Sequence, residues 1–279
     1  MKTLTPFLLG LVLLGSIANS RAQNCCRQPD MKMLALNTDF KAAHEPPTPF
    51  TYASEKGKMI QFPTSGGGSG NAFFVPAGEP TKKVLLVFHE WWGLNDYIKR
   101  EAENWQKDLG NVDVYAVDLY DGQVATDPEM AGKLMNALDP KRGAAIIEGV
   151  LKQIGKGKQI ATIGWCMGGS WSFTGTLLAG KDAAGCVMYY GFPESDAKKV
   201  KTVKADVFYV RANKDNFISR EAVDKLGEQV RAAGHKFDLK TYEAVHAFAN
   251  PSNPKYDVKA ATEAHALSEK FLKQKLGVR

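Results

Sequence analysis

A single cysteine between two glycines is the residue in this sequence that most directly suggests chemistry. Cys166 lies in the segment Gly164-Trp165-Cys166-Met167-Gly168-Gly169, between an apolar strand-like run and a helix-compatible stretch. Glycines two positions before and two after a nucleophile leave room for a sharp turn from strand to helix. The N-terminus of the following helix favours a thiolate. The pattern predicts a nucleophilic thiol, although a lone Gly-x-Cys-x-Gly is more often a buried cysteine that only packs.

An acid and then a base follow Cys166 in the chain, which is the order that one class of nucleophilic triads has. Asp215 comes just after the strand-like run 206–210, and His246 comes just after the last strand-like run, 237–244. A nucleophilic thiol needs a base, and the base needs an acid that orients it. Taken alone, Asp215 could be a turn residue or a helix N-cap, and His246 a surface histidine. Their order and their places at strand ends favour a Cys-His-Asp triad.

The loop after the strand-like run 84–89 supplies the remaining candidates. Acyl transfer needs two N–H donors for the oxyanion, and we assign them to the backbone amides of Met167 and Trp91. Glu90 follows a buried strand directly, which suggests either a carboxylate that manages the thiol proton or a simple salt bridge. Trp92 suggests contact with an apolar or planar acyl group, or packing alone.

These residues require a sheet that brings strand ends together. Continuous apolar runs alternate with helix-compatible stretches at spacings that suit right-handed crossovers, which indicates parallel strands buried on both faces. Residues 59–62 and 71–76 flank a Gly/Ser loop and predict an antiparallel hairpin at the sheet edge. We therefore predict an α/β fold with an open, mostly parallel sheet and helices on both faces. The predicted strands are 84–89, 112–119, 159–165, 185–191, 206–210 and 237–244, and the predicted helices are 96–109, 128–137, 141–154, 169–179, 220–233 and 256–275.

The first 22 residues have the features of a secretory signal peptide. Lys2 precedes a short apolar stretch, and Ser20-Arg21-Ala22 offers a cleavage site that would leave Gln23 as the first residue. The apolar stretch is too short to span a bilayer, so we expect no stable membrane insertion after cleavage. An uncleaved anchor and a lipoprotein modified at Cys25 are the alternatives. We predict an exported protein, periplasmic or secreted.

Residues 23–50 are polar and include His44-Glu45-Pro46-Pro47-Thr48-Pro49, so we expect a poorly ordered leader or an arm over the domain surface. No repeat or long linker follows, which favours one catalytic domain over residues 51–279. In an oxidising compartment Cys25 and Cys26 could pair with each other, pair with a partner, or stay free.

Composition excludes several classes of protein. The chain has 279 residues, of which 44% are hydrophobic, and only 4 cysteines, which excludes a disordered chain and a small disulfide scaffold. The net charge of +6 is spread among acidic residues, so we expect no nucleic-acid partner. We expect no metal and no cofactor, because the histidines other than His246 lie in unrelated segments: His44, His89, His235 and His265.

Together these residues resemble the dienelactone hydrolase family of α/β-hydrolases, from about Thr51 to the C-terminus. The resemblance implies that Cys166 is the nucleophile, Asp215 the acid and His246 the base. It also implies that Glu90 pairs with the resting thiol, and that a cyclic enol-lactone ester is hydrolysed through an acyl-cysteine. The motifs are His-Glu-Trp-Trp-Gly-Leu-Asn (89–95), Val-Asp-Leu-Tyr (117–120), Gly-Trp-Cys-Met-Gly-Gly (164–169), Tyr-Tyr-Gly (189–191), Asn-Lys-Asp (213–215) and His-Ala-Phe-Ala-Asn (246–250).

The sequence departs from the family where a substrate carboxylate would be held. One arginine of the family's clamp corresponds to Asn250, which we assign to substrate binding, and no arginine lies between Leu119 and Pro140, where Lys133 is the sole cation. A bidentate clamp on a carboxylate needs arginine. We therefore expect a small-molecule ester or lactone other than dienelactone as substrate. Two other classes remain as alternatives: a non-catalytic binding protein on a hydrolase scaffold, and a thiol redox protein.

Overall fold

A computed structural model describes residues 31–279, so the predicted signal peptide and the pair Cys25 and Cys26 lie outside the described residues. The described part contains one eight-stranded sheet and nine α-helices. The strands are β1 (Lys58–Pro63), β2 (Ser69–Val75), β3 (Lys83–Phe88), β4 (Asp113–Asp118), β5 (Gln159–Trp165), β6 (Ala183–Tyr189), β7 (Asp206–Ala212) and β8 (Phe237–Tyr242). The helices are α1 (Met31–Ala35), α2 (Thr38–Ala42), α3 (Asp96–Leu109), α4 (Pro128–Ala137), α5 (Pro140–Ile154), α6 (Met167–Ala179), α7 (Ala197–Val200), α8 (Arg220–Ala232) and α9 (Val258–Leu276), with a 3-10 turn at Gly180–Asp182.

The sheet is mixed but mostly parallel. Its strand order is β1-β2-β4-β3-β5-β6-β7-β8, with β1 and β2 forming an antiparallel hairpin at one edge. Strand β2 also pairs antiparallel with β4, and the remaining neighbours pair in parallel. This architecture confirms the predicted open sheet with an N-terminal antiparallel edge hairpin.

Helices cover both faces of the sheet. On one face, α3 and α9 pack against each other, with α9 lying over β5, β6 and β7. On the other face, α5 packs against α6, and α6 lies over β3, β5 and β6. The inner strands are consequently buried on both sides, as in β3, where every residue from Val84 to Phe88 is fully buried.

Helix α6 is fixed on the sheet by a small buried polar cluster as well as by apolar packing. The Oγ of Ser172 lies 2.8 Å from the Oγ1 of Thr162 on β5 and 2.9 Å from the carbonyl oxygen of Val187 on β6. The Oγ1 of Thr176 lies 2.7 Å from the same Thr162 oxygen. Buried hydroxyls need such partners, so the cluster fixes how α6 sits over β5 and β6. The start of α6 is thereby held at the carboxyl edge of the sheet.

Most helices begin with an ordinary cap, but α6 does not. Asn95, Asp127, Asp139, Ser219 and Asp257 each accept a hydrogen bond from a first-turn amide of the helix that follows. The residue before α6 is Cys166, whose side chain makes no capping bond. In the first turn of α6, the Gly169 amide donates to the Cys166 carbonyl at 3.0 Å, and the Met167 amide is left facing the thiol.

The segment 31–50 is more structured than its polar composition suggested. It contains α1 and α2, which contact α4, and it buries the side chains of Leu34, Phe40 and His44. Asn37 caps α2 by accepting from the amide of Phe40 at 2.8 Å. The segment thus packs into the domain instead of lying loosely over its surface. Among residues 31–279, no helix combines the length and apolar character needed to cross a bilayer.

Candidate active site

Cys166 lies at the sharp turn between β5 and α6. Its backbone has φ 55° and ψ −122°, a conformation that L-residues rarely adopt, and its amide donates to the carbonyl of Tyr189 at 3.0 Å. The flanking glycines permit the turn, because a Cβ on Gly164 would overlap the carbonyl of Gly168. A Cβ on Gly168 would in turn overlap the carbonyl oxygen of Phe88. The predicted strand-to-helix elbow is therefore present at this cysteine.

Asp215 and His246 meet beside the elbow, each on the loop that follows its strand. The Nδ1 of His246 lies 2.7 Å from the Oδ2 of Asp215, and both side chains are almost fully buried. The other carboxylate oxygen of Asp215 accepts from the amides of Phe217 and Ile218, at 2.8 and 3.2 Å. These amides fix the carboxylate, which orients the imidazole so that its Nε2 is free for Cys166.

The thiol and the imidazole form a buried, electrostatically coupled pair. Burial raises the pKa of the Cys166 thiol, and the positive charge of His246 only partly offsets this effect. Burial opposes a charge on His246 as well, but the carboxylate of Asp215 raises the pKa of His246 well above its usual value. Burial likewise works against the Asp215 charge, but His246 and the two amides lower the pKa of this carboxyl. These shifts favour the ionised form of Asp215 and the charged form of His246.

Glu90 lies near this pair but bonds to other groups. Its Oε2 accepts from the Nδ2 of Asn250 at 2.5 Å, and its Oε1 accepts from the hydroxyl of Tyr190 at 3.3 Å. Burial raises the pKa of Glu90 to about 7, although His246 and both hydrogen bonds oppose the rise. The two carboxylate oxygens are directed at Asn250 and Tyr190 instead of forming the pairing with the Cys166 thiol that the family resemblance implies. Glu90 and Asn250, noticed separately in the sequence, form one unit.

The two amides assigned to the oxyanion lie on the segments that border the thiol. The N–H of Met167 points at the sulfur of Cys166 and lowers the pKa of the thiol, against the larger effect of burial. Trp91 follows β3 in the loop next to the elbow, and its ring is fully buried. The hydroxyl of Tyr120 lies 3.2 Å from the Met167 sulfur and so packs beneath the same turn.

A small open cavity lies beside Glu90 and Asn250. Trp92 and Trp165 contribute aromatic surface, and Glu101 contributes a second carboxylate. No lysine or arginine belongs to its lining, in agreement with the missing arginine clamp. The complete lining is Glu90, Trp92, Gly93, Asn95, Tyr97, Ile98, Glu101, Trp165, Ala249, Asn250, Pro251 and Ser252.

Sequence reasoning missed two residues of the site, Phe40 and His44. The ring of Phe40 lies 5.7 Å from that of His246, and the ring of His44 lies 5.3 Å from it. Both also pack on Trp91, at 5.1 and 4.5 Å. The expectation that His44 belongs to an unrelated segment is wrong, because the segment that contains α2 brings His44 next to Cys166 and His246. The i, i+4 spacing of Phe40 and His44 was a signal that both side chains share one face.

Backbone strain is concentrated around these residues. Four non-glycine residues in the described part have positive φ, namely Asp121, Cys166, Tyr190 and Ala247. Three of the four are at the site: Cys166 itself, Tyr190 on Glu90, and Ala247 directly after His246. Strain of this kind persists where surrounding packing fixes a functional geometry.

Comparison with known proteins places the chain in a family. The sequence profile of the dienelactone hydrolase family matches residues 71–276. An Aquifex aeolicus protein whose name refers to carboxymethylenebutenolidase is 30% identical over 231 residues, covering 78% of this chain and 98% of the relative. The protein usf of Aquifex pyrophilus is 29% identical over 237 residues, covering 79% and 99% of the two chains.

Solved structures share the fold at lower identity. A dienelactone hydrolase-like promiscuous phosphotriesterase from metagenomic libraries superposes with a TM-score of 0.67 at 17% identity, covering 80% of this chain and all of the other. A Pyrococcus furiosus esterase superposes with a TM-score of 0.62 at 14% identity, covering 84% and 98%. The family match extends over most of the described residues and includes the elbow and the loops that hold Asp215 and His246. This chain belongs to the dienelactone hydrolase family and is a hydrolase of carboxylic esters or lactones.

Proposed function

We propose that the protein hydrolyses its ester or lactone through an acyl-cysteine intermediate on Cys166. The observation that carries the proposal is the connected geometry of three groups. A cysteine at a strained elbow faces an imidazole whose Nδ1 is 2.7 Å from a buried carboxylate. A redox or purely binding role would require neither the imidazole–carboxylate pair nor its seclusion from water.

The reaction proceeds in two displacements. His246 takes the proton from the Cys166 sulfur, and the thiolate adds to the ester carbonyl carbon. The tetrahedral intermediate collapses when His246 returns the proton to the leaving oxygen, which frees the alcohol and leaves an S-acyl group. Water, deprotonated by His246, then attacks the thioester, and the sulfur leaves and regains a proton. Asp215 keeps the imidazole oriented throughout and stabilises the imidazolium.

The amides of Met167 and Trp91 are the donors for the oxyanion in both displacements. The N–H of Met167 already points at the thiol, and Trp91 comes from the neighbouring loop. Glu90 acts as a proton-managing group, because a carboxyl with a pKa of about 7 changes charge within the working range. In its ionised form it raises the pKa of the thiol, which keeps the idle enzyme less reactive.

The cavity favours a neutral acyl group. Two carboxylates, Glu90 and Glu101, belong to its lining, and lysine and arginine do not. A substrate carboxylate would therefore find no counter-ion there, and it would meet like charge whenever these glutamates are ionised. The indoles of Trp92 and Trp165 offer apolar, planar surface, and the amide of Asn250 offers a hydrogen bond. We propose an uncharged, apolar or aromatic ester or lactone as substrate, and an exported enzyme whose mature chain begins near Gln23.

The test compares two buried cysteines. Cys166→Ala should reduce hydrolysis of p-nitrophenyl acetate by at least about 10⁴-fold, because it removes the nucleophile. Cys186→Ala is the matched control, since Cys186 is equally buried but lies beneath α6, with Ser172. The control should keep near-normal turnover, and both folds should be intact by circular dichroism. Wild-type turnover in Cys166→Ala would refute the proposal. Cys166→Ser should be weakly active, because the base is matched to a thiol.

A further inference from the structure

Two histidines and the thiol lie close enough together to share one ion. One ligand atom from each of His44, Cys166 and His246 lies within 4.8 Å of the other two. Among the described residues, the buried Nε2 of His44 has no hydrogen-bond partner, and the buried Nε2 of His246 has none other than the Cys166 thiol. The side chains of His44 and His246 belong to residues that are only 3% and 5% exposed. Buried polar atoms left unpaired in this way need an explanation.

The partners of the two Nδ1 atoms fix the state of the Nε2 atoms. The Nδ1 of His44 lies 2.7 Å from the carbonyl oxygen of Phe40, so it must carry the hydrogen, because a carbonyl only accepts. With the hydrogen on Nδ1, the neutral imidazole of His44 has a lone pair on Nε2, which is the form that binds a metal ion. The Nδ1 of His246 likewise donates to Asp215. The two Nε2 atoms and the sulfur therefore share a single proton.

We propose that His44, Cys166 and His246 form a three-ligand site for Zn²⁺. Two imidazole nitrogens and a thiolate are a ligand set that Zn²⁺ prefers. With Zn–N and Zn–S bonds of about 2.1 and 2.3 Å, the ligand atoms of a tetrahedral site lie about 3.5 Å from one another. The ligand atoms of His44, Cys166 and His246, now within 4.8 Å of one another, would have to approach by at most little more than about 1 Å. The fourth position stays open for water.

The groups behind the ligands also suit a metal. Zinc-bound histidines typically donate their second N–H to a carboxylate or a backbone carbonyl, which orients the ring. Here Asp215 provides the carboxylate for His246, and Phe40 provides the carbonyl for His44. Both outer partners are thus present before any metal enters.

Zinc at this position would switch the enzyme off. Coordination occupies the Cys166 sulfur and the His246 Nε2 together, and it releases their shared proton to solvent. Because His44 belongs to the segment 31–50, the ion would also tie that segment down over the triad. The binding claim stands without the proposed function, whereas the inhibition claim rests on Cys166 and His246 being nucleophile and base.

The experiment measures Zn²⁺ binding directly. The experiment uses the full-length protein with the substitutions Cys25→Ser and Cys26→Ser, which remove the two thiols outside the described residues. This protein is stripped of metal with a chelator and then titrated with Zn²⁺ by calorimetry. We expect one ion per chain and release of about one proton, read from two buffers of different ionisation enthalpy. Co²⁺ in place of Zn²⁺ should give a thiolate-to-metal charge-transfer band.

Two variants remove the third ligand. His44→Ala should weaken Zn²⁺ binding by more than the roughly 10- to 100-fold that loss of an outer-shell partner costs. His44→Phe keeps an aromatic ring against Trp91 and should weaken binding equally, which guards against a folding artefact. His235→Ala, at a histidine beside Asp206, is the matched control and should bind as the parent does.

The outcomes separate the two claims. Unchanged Zn²⁺ affinity in both His44 variants, or the absence of a stoichiometric site in the parent, would overturn the proposed zinc site. Hydrolysis of p-nitrophenyl acetate is measured on the chelator-stripped protein. The activity found there tests the proposed function independently of zinc binding. Stoichiometric zinc should abolish hydrolysis in the parent. Activation by zinc would overturn the inhibitory role.

Discussion

The segment 31–50 closes the catalytic pair, and Phe40→Ala should open it. The side chain of Phe40 is fully buried, and its ring packs on Trp91, Phe217 and His246, at 5.1, 4.9 and 5.7 Å. The Cys166 side chain has no exposed surface while this segment is docked. We therefore expect a reagent to reach the thiol only when this segment lifts.

The expected effect follows from the burial of this ring. Truncating a buried phenylalanine to alanine costs about 3 to 5 kcal/mol, and every 1.4 kcal/mol changes an equilibrium constant tenfold. If the loss falls on docking of the segment, even the lower figure raises the open population about 10²-fold. Alkylation of Cys166 through the open form should accelerate by the same factor.

The assay is the second-order rate of iodoacetamide labelling at Cys166, with the site identified by peptide mass spectrometry. Phe208→Ala is the matched control, because Phe208 is also a buried phenylalanine but packs on Phe271, away from the segment. That variant should lose stability without faster labelling under native conditions. A Phe40→Ala rate within threefold of wild type would refute the idea that this segment controls access.

Three further predictions concern charge, packing and processing. Burial raises the pKa of Glu90 from an ordinary 4.5 to about 7. Between pH 4.5 and 7 the folded protein therefore keeps a proton that the unfolded chain has lost, so the free energy of unfolding of the wild type should fall as the pH rises through this range. Glu90→Gln should remove up to about 3 kcal/mol of this fall in the free energy of unfolding, measured by urea unfolding at pH 5 and 8. The same variant should lower esterase activity about 10²-fold. An unfolding free energy that depends on pH identically in the variant and the wild type would contradict the first expectation. Gly168→Ala should destabilise the fold by more than about 3 kcal/mol, because the added Cβ would overlap the carbonyls of Phe88 and His89. Gly78→Ala is the control and should be nearly neutral, because the space around Gly78 is open. Equal melting temperatures of the two variants would contradict this prediction. Mass spectrometry of the protein exported by its native host should find a chain that begins near Gln23, and an intact Met1 would contradict cleavage.

Much of the site follows from local sequence because parallel strands deliver their carboxyl ends to one edge. The positions of Cys166, Asp215 and His246 at strand ends needed only the order of strands and helices. Local chemistry also set the element ends to within one or two residues, and two of the differences have a clear cause. Helix α6 starts at Met167 instead of Gly169, because the positive φ of Cys166 ends the strand and starts the helix at once. Helix α9 starts at Val258 because Asp257 caps it through the amide of Ala260.

The contacts of the N-terminal segment could not be read in the same way. His44 and Cys166 are far apart in the chain, and the polar residues around His44 resemble those of a surface linker. Only the docked position of α2, fixed by Phe40 against Trp91 and Phe217, brings the imidazole to the thiol. The bond between Asn250 and Glu90 was hidden for the same reason, since it joins two loops from opposite ends of the domain.

The elbow also bears on how easily the nucleophile itself could change during evolution. Its backbone geometry is maintained by the close approach of Gly164 to Gly168 and by the bond from the Cys166 amide to Tyr189, and the sulfur contributes to neither. A single nucleotide substitution converts a cysteine codon into a serine codon. The main chain would accept serine at this position without rearrangement. The exchange is therefore limited by how well the imidazole–carboxylate pair activates a hydroxyl, and not by folding. Lineages of this scaffold could therefore pass between thiol and hydroxyl chemistry in one step, with later substitutions adjusting the base to its new partner.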